Sequence, residues 1–492
     1  MILALFLIPL LAGGTAFLLR SDKLRHGLLL AAAAAHAGLM AAAWTMPALS
    51  QLGGWVALDS PEKLFLSITS ALFLVTAAYA VGYLRREGHE KRADIEEGFL
   101  FPNAPEATFI GCLLIFLATM TLVIMARHIG LMWVAVEATT LASAPLIHFH
   151  RHHRSLEAAW KYLVICSVGI AIALLGNFFL VVAAGPAGER ISAMTLPQLM
   201  EHARDLDPKW LKASFLLLLV GYGTKMGLAP LHTWLPDAHS EAPSVVSALL
   251  SGALLNCAFV AILRIHGVCA AAGLAEFSKG LFVLFGIVSM AVAAVFIVGQ
   301  SDYKRMLAYS SVEHMGIAML GVGWGGIAGF GALLHVVNHS LAKAMLFLLS
   351  GNILGAYRTK SAGQVTGILR LLPASGVLWL AGFFAITGSP PFGLFVSELT
   401  ILKGALDGRH FVLAGVYLAL LLTVFVGMAM VFLRMAHGTR PGALGDGAPA
   451  REWLSSVIPP AVLGLAALFL GLYVPKGLTG AIDEALHTLR LY

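Results

Sequence analysis

Apolar stretches follow one another along almost the whole chain, separated only by short polar segments. A helix needs ~20 mostly apolar residues to cross the hydrocarbon of a bilayer. Fourteen stretches have that character, near residues 2–20, 25–46, 64–84, 108–126, 130–148, 158–184, 211–230, 244–265, 279–299, 307–325, 328–354, 371–399, 411–434 and 457–474. In hydrocarbon every backbone polar group must be satisfied within the element, which leaves helices or closed barrels, and runs of this length are helical. The expected fold is an all-α polytopic membrane protein with about 14 transmembrane helices. Composition agrees, since 59% of the 492 residues are hydrophobic and 12% are charged, against roughly 25% charged in soluble domains.

Lys and Arg number 32 against 26 Asp and Glu, a formal charge of +6. No basic cluster is interleaved with aromatics, so nucleic acid is excluded as a partner and the surplus is assigned to loops facing the cytoplasm. With the N-terminus outside, inner loops hold 18 of the basic residues and outer segments 12, while Lys225 and Lys343 sit inside spans. Both termini are therefore expected on the periplasmic side of a bacterial cytoplasmic (inner) membrane. Met1–Leu19 lacks a basic start and a small-residue cleavage site, and is expected to be a first span. Cys112, Cys166, Cys257 and Cys269 form no Cys-x-x-Cys pair. They are read as packing residues, and no cofactor or metal is expected in this chain.

Ionisable residues inside apolar runs are costly and mark function. Lys225 lies within Ser214–Ala229, just before Pro230, in a Gly-Tyr-Gly-Thr-Lys-Met-Gly sequence whose small residues permit close packing and local unwinding. Glu137 lies in Leu131–Ile147 and is a candidate ion-pair partner for Lys225, the alternative being a helix–helix contact. His335, His339 and Lys343 recur at steps of four, so they line one helix face over ~12 Å of the ~30 Å core. Imidazoles in such a row pass protons by accepting on one nitrogen and donating from the other. His314, beside Glu313, falls near the start of the span at 307–325, as a relay element, a cytoplasmic inlet or a boundary residue. Glu398 follows Pro390-Pro391, as a terminal exchange site or an end-of-helix acid paired with Lys403. Asp237 and Glu241 lie in a Pro-punctuated polar segment, Leu231–Pro243, as surface carboxylates or proton collectors. In that segment His232 and His239 are spaced wrongly for a metal.

The broken seventh and twelfth spans, at Lys225…Pro230 and Pro390–Pro391, cross the membrane in opposite directions because they stand an odd number of spans, five, apart. Paired interruptions of this kind point to an inverted repeat. The expected organisation is three N-terminal helices over 1–107, a five-helix repeat over 108–265, a second over 266–434, and a last span with a short tail over 435–492. Helices 4–8 and 9–13 are then the two halves. Thr479–Leu491 is expected to be an interfacial segment or a frayed tail.

The stretches Lys225–Ser251, Tyr303–Gly316 and Leu334–Gly351 resemble the proton-pumping antiporter-like subunits shared by respiratory complex I and related assemblies. Ala308-Tyr309-Ser310-Ser311-Val312-Glu313-His314-Met315-Gly316 and the short C-terminal segment are most similar to the component F membrane subunits of hydrogenase-4 and formate hydrogenlyase complexes. The resemblance implies fourteen helices, the inverted repeat, a Glu137–Lys225 pair, and the helix-twelve acid at Glu398. It also implies a proton-translocating, non-catalytic subunit among other membrane subunits and a soluble redox module. Iron–sulfur clusters, with nickel–iron as an option, would sit in those partners. The chain departs from the family at Asn256, where close relatives carry a lysine, so transfer between the halves needs water, His335 or another route. No long lateral helix is expected after the last span. The rival expectations are an Na⁺/H⁺ antiporter subunit of a multi-subunit exchanger, a membrane partner of a bicarbonate-uptake complex, and a purely structural scaffold.

Overall fold

A computed structural model describes residues 1–87, 92–93, 100–185, 194–438 and 451–492. Twenty α-helices, two short 3-10 helices, a π-turn and two small two-stranded sheets make up the described regular structure. The first helices are α1 (Ile2–Leu18), α2 (Asp22–Ala43) and α3 (Ser60–Glu87), with a short hairpin, β1 (Leu49–Gln51) and β2 (Val56–Leu58), before α3. A second pair, β3 (Arg92–Ala93) and β4 (Leu100–Phe101), precedes α4 (Glu106–Met125), α5 (Ile129–Ile147) and α6 (His153–Ala183). Then follow α7 (Leu196–Glu201), α8 (Pro208–Met226), α9 (Trp234–Glu241), α10 (Ser244–Leu249) and α11 (Leu255–Ala271). The last group is α12 (Ala275–Ile297), α13 (Tyr303–Trp324), α14 (Gly326–Tyr357), α15 (Ile368–Leu371), α16 (Pro373–Ile386), α17 (Gly393–Asp407), α18 (Phe411–Ala436), α19 (Leu454–Leu472) and α20 (Lys476–Leu489).

Among the described residues, ten helices are long and apolar enough to cross a membrane, and α1 and α16 are shorter apolar helices. The chain is a multi-pass, all-α membrane protein. α10 and α11 join through a π-turn, Leu250–Leu254, into one helix whose most apolar stretch is wholly buried. Its first part, α10 and the π-turn, packs against α14. α6, α12, α18 and α19 lie at the periphery and turn Val168, Leu284, Leu422 and Leu465 outward. Helices apolar all round suit a lipid or protein surround and not water. Glycines let the helices approach closely. A Cβ added at Gly221 of α8 would come 2.6 Å from the Gly169 carbonyl of α6, and one at Gly316 of α13 would come 2.8 Å from that of Gly286 on α12.

Caps fix the helix starts. Asp207 accepts from the backbone N–H of Lys209 and Trp210 to begin α8, and Asp302 accepts from those of Lys304 and Arg305 to begin α13. This second cap corrects the expected position of His314. The span opens at Tyr303, so Glu313 and His314 lie in its middle and are buried. The tail is also resolved into α20, whose apolar face (Ala481, Ile482, Ala485, Leu486, Leu489) packs on α3, α11 and α14. It is a docked helix, not a frayed end.

Candidate functional site

Lys225 occupies the last turn of α8 and is 1% exposed. Gly227 ends the helix in the left-handed region at φ 82°, where a side chain would be strained. Helix resumes at Trp234, and the Trp234 indole N–H donates to the Thr224 carbonyl at 2.8 Å, satisfying an oxygen at the helix end. The ammonium of Lys225 donates to Thr140 Oγ1 at 2.8 Å and to the Tyr162 hydroxyl at 2.6 Å, and it lies 4.5 Å from the Tyr162 ring centre. Tyr162 in turn meets Ser143 Oγ at 2.6 Å.

Glu137 does not touch Lys225. Its carboxylate accepts from Ser167 at 2.8 Å and from Thr140 at 3.5 Å. Thr140 thus stands between the two charges, accepting from the ammonium and donating to the carboxylate. The expected direct ion pair is corrected to a hydroxyl-bridged one, because the Thr140 side chain, one turn along α5 from Glu137, fills the gap.

A second cluster is built from α13, α14 and α17. His335, His339 and Lys343 lie on one uninterrupted helix and are fully buried. His314 Nδ1 and His335 Nε2 share a hydrogen bond at 3.0 Å, and the other nitrogen of His335 meets Ser397 Oγ at 3.2 Å. The ring centres of His314 and His339 are 5.2 Å apart. The Lys343 ammonium donates to the Leu307 carbonyl at 2.5 Å and also to Ser310 Oγ. Glu398 is 7% exposed, and its Oε1 has no hydrogen-bond partner among the described residues. Lys403 pairs with Asp407 at 2.6 Å, which removes the reading of Glu398 as its partner.

Donor atoms of His314, His335 and Glu398 lie within 4.8 Å of one another. Two nitrogens and a carboxylate oxygen are a set that zinc accepts. Here His314 Nδ1 and His335 Nε2 hydrogen-bond each other. His232 and His239 join no such grouping among the described residues.

Between the clusters, Asn256 Nδ2 donates to the Gly252 carbonyl and to Ser340 Oγ, both at 2.9 Å. Its Oδ1 is buried without a partner among the described residues. Ser251 and Ser311 meet at 2.8 Å beside it. Asp237 stands apart from this buried row. It lies at one end of the bundle, partly exposed, paired with Lys161 at 3.0 Å and Arg305 at 2.9 Å.

Sequence reasoning missed a third buried group at the opposite end. Arg264 donates to Glu62 at 2.8 Å and to the Val123 and Ile124 carbonyls, and Arg127 bridges Asp59 and Glu62. Burial opposes the charge on Arg127, but Glu62 and Asp59 outweigh it and raise its pKa above the ordinary arginine value. The apolar run around Arg264 carried the same signal as that around Lys225.

The family model described as NADH:quinone oxidoreductase/Mrp antiporter, transmembrane, matches residues 126–425. That interval holds both clusters entire. The chain belongs to the NADH:quinone oxidoreductase/Mrp antiporter family. Within that family it is 36% identical over 426 residues to a hydrogenase-4 component F homolog of Methylacidiphilum infernorum, covering 86% of each chain. Two solved structures share the fold. One is a chain of an archaeal membrane-bound sulfane sulfur reductase (TM-score 0.85, 18% identity, 99% of this chain and 97% of that one). The other belongs to the Mrp complex of Dietzia (TM-score 0.84, 22% identity, 99% of this chain and 98% of that one).

Proposed function

We propose that the chain is the proton-translocating membrane subunit of a redox-driven complex, a group 4 membrane-bound hydrogenase or a related complex I-like assembly. The observation that carries this reading is the placement of Lys225. A buried ammonium held by two hydroxyls, with a carboxylate one hydroxyl away, is a site where a proton is kept and released. A membrane charge of this kind is retained at a cost and faces a polar path. The hydrogenase-4 component F homolog supports the redox assignment by its name and by its match over most of both chains.

In this function Glu137 and Lys225 form the first relay element. His339, His314 and His335 carry the proton from Lys343 toward Glu398, the exchange site on the outer side, and Asp237 belongs to the inner rim. α1, α8, α13 and the pair α16 and α17 complete fourteen spans. α8 carries Lys209, Lys212 and Lys225, and α13 carries Lys304, Arg305 and Glu313, so neither reads as uniformly apolar. The interruptions after α8 and between α16 and α17 occupy matching places in an inverted repeat of 108–265 and 266–434, flanked by 1–107 and 435–492. Both termini face the periplasm of a bacterial inner membrane. Other membrane subunits and a soluble redox module, which carries the iron–sulfur clusters and, where the assembly is a hydrogenase, nickel–iron, are the partners. Moving one charge against 100 mV takes about 2.3 kcal/mol, which the partner's electron transfer must supply.

The test is proton translocation per electron by the assembled complex in proteoliposomes, with Lys225→Ala and Lys343→Ala. Both variants are expected to lower coupled translocation, and Lys343→Ala to abolish it. Unchanged translocation in both would overturn the proposal, and a strict requirement for Na⁺ would reassign the chain to ion exchange.

A further inference from the structure

We propose that His239 is a proton-carrying site that loads Lys343 directly from the rim of the bundle, an inlet that does not pass through Lys225. The inference rests on the relay described above and adds a second route into it.

α9 is a single short helix with two faces of different chemistry. Outward, Asp237 pairs with Lys161 and Arg305, Ser240 donates to Asp302 at 2.5 Å, and Glu241 pairs with Lys360 at 2.6 Å and lies 3.8 Å from His152. Inward, His239 is fully buried, and its ring stacks on Phe347 at 4.8 Å with 12° between planes. Phe347 lies one helical turn beyond Lys343 on the same face of α14. One helix of eight residues thus joins a charged rim to the surroundings of Lys343. Lys304, buried at the same rim, donates to the Ala242 carbonyl at 2.6 Å, and both it and Lys343 lie within electrostatic reach of the His239 ring.

Both ring nitrogens of His239 are buried with no hydrogen-bond partner among the described residues. A histidine that serves only packing is satisfied by its neighbours, as His36 is by Ser70 at 2.8 Å and Thr121 at 3.0 Å. Leaving both nitrogens of a buried imidazole bare is costly unless water reaches them. The same holds for His339, one turn before Lys343 on α14. Lys343 is therefore flanked along its helix by two imidazoles of the same kind, one toward the rim and one toward His314 and His335.

The crossing from the first half is poorly suited to be the sole supply of Lys343. Asn256 holds no extra proton, and its amide is committed to Gly252 and Ser340. An imidazole between the rim and Lys343 removes the need for that crossing in every cycle.

The test compares proton translocation per electron in proteoliposomes of the assembled complex carrying His239→Gln or His239→Ala, with Lys343→Ala and Lys225→Ala alongside. Both His239 variants are expected to lower the translocation rate about tenfold or more, the scale of losing a positioned acid–base group. Added imidazole is expected to restore His239→Ala and to leave Lys343→Ala inactive. A wild-type rate in His239→Gln beside an inactive Lys343→Ala would overturn the inlet alone. Loss without imidazole rescue would make His239 structural and would also overturn it. Full activity in both lysine variants would instead remove the relay on which it stands.

Discussion

Thr140→Val isolates the hydroxyl that stands between Lys225 and Glu137. Valine has nearly the shape of threonine but lacks the oxygen, so packing on α5 is kept while one of two side-chain acceptors of the Lys225 ammonium is lost. Tyr162 still accepts at 2.6 Å and still offers its ring face at 4.5 Å, so the charge is not orphaned. A hydrogen bond to a charged group contributes about 1.5–3 kcal/mol. At about 1.4 kcal/mol per tenfold, the protonated form of Lys225 becomes about 10- to 150-fold less favoured. The link to Glu137 at 3.5 Å is cut at the same time. Proton translocation at saturating electron donor, in proteoliposomes of the assembled complex, is expected to fall by about one order of magnitude or more. Thr140→Ser returns the oxygen and is expected to recover most of the rate. A wild-type rate in Thr140→Val would refute the bridge, and equal loss in Thr140→Ser would assign the effect to packing.

Three further substitutions test features away from Lys225. Removing one partner of a buried ion pair costs about 3–5 kcal/mol, so Glu62→Gln and Arg264→Met are each expected to lower the thermal stability of the purified complex strongly. A double-mutant cycle on the pair is expected to show a coupling of about 1–3 kcal/mol, and simple additivity would exclude the direct interaction. Gly388 lies at φ 59° with the Glu398 carboxylate where its Cβ would stand. Gly388→Ala is therefore expected to displace Glu398 and to add about 1–2 kcal/mol of left-handed strain, read as a lower melting temperature together with weaker translocation. Wild-type behaviour in both measurements would contradict the placement of Glu398.

The large features of this fold are written in its hydropathy, since a backbone that must satisfy itself in oil leaves one type of element and a known length. Lys225, and the row His335, His339 and Lys343, were legible for the same reason, because charge in an apolar run has few innocent explanations. Thr140, Tyr162, Ser143 and Ser167 were not. A hydroxyl in a membrane helix bonds its own backbone as readily as a neighbour, as Thr69 does with the Phe65 carbonyl at 2.9 Å. Only packing tells which hydroxyls face a lysine. Glu62 and Arg264 are 202 residues apart, Glu62 in the first turn of α3 and Arg264 well inside α11. Nothing local marks them as a pair. Hydropathy puts His314 near the start of its span because the apolar run begins late, whereas the helix starts at the Asp302 cap, a signal present in Asp-Tyr-Lys-Arg.

Both buried lysines have a hydroxyl acceptor, but the second acceptor is another hydroxyl at Lys225 and a carbonyl at Lys343, and the difference bears on what moves. Lys225 is bound by hydroxyls, which accept from the ammonium and can turn to donate elsewhere once it is neutral. Lys343 is bound by one hydroxyl, Ser310, and at 2.5 Å by the Leu307 carbonyl, which only accepts. A carbonyl accepts from an amine in either charge state, so Lys343 has less reason to swing on losing its proton. The carriers there must come to the lysine, and the imidazoles of His339 and His239, with bare nitrogens on either side of it, are placed to do so through water. Lys225 is built as an element that rearranges with its charge, and Lys343 as a fixed station that protons pass through.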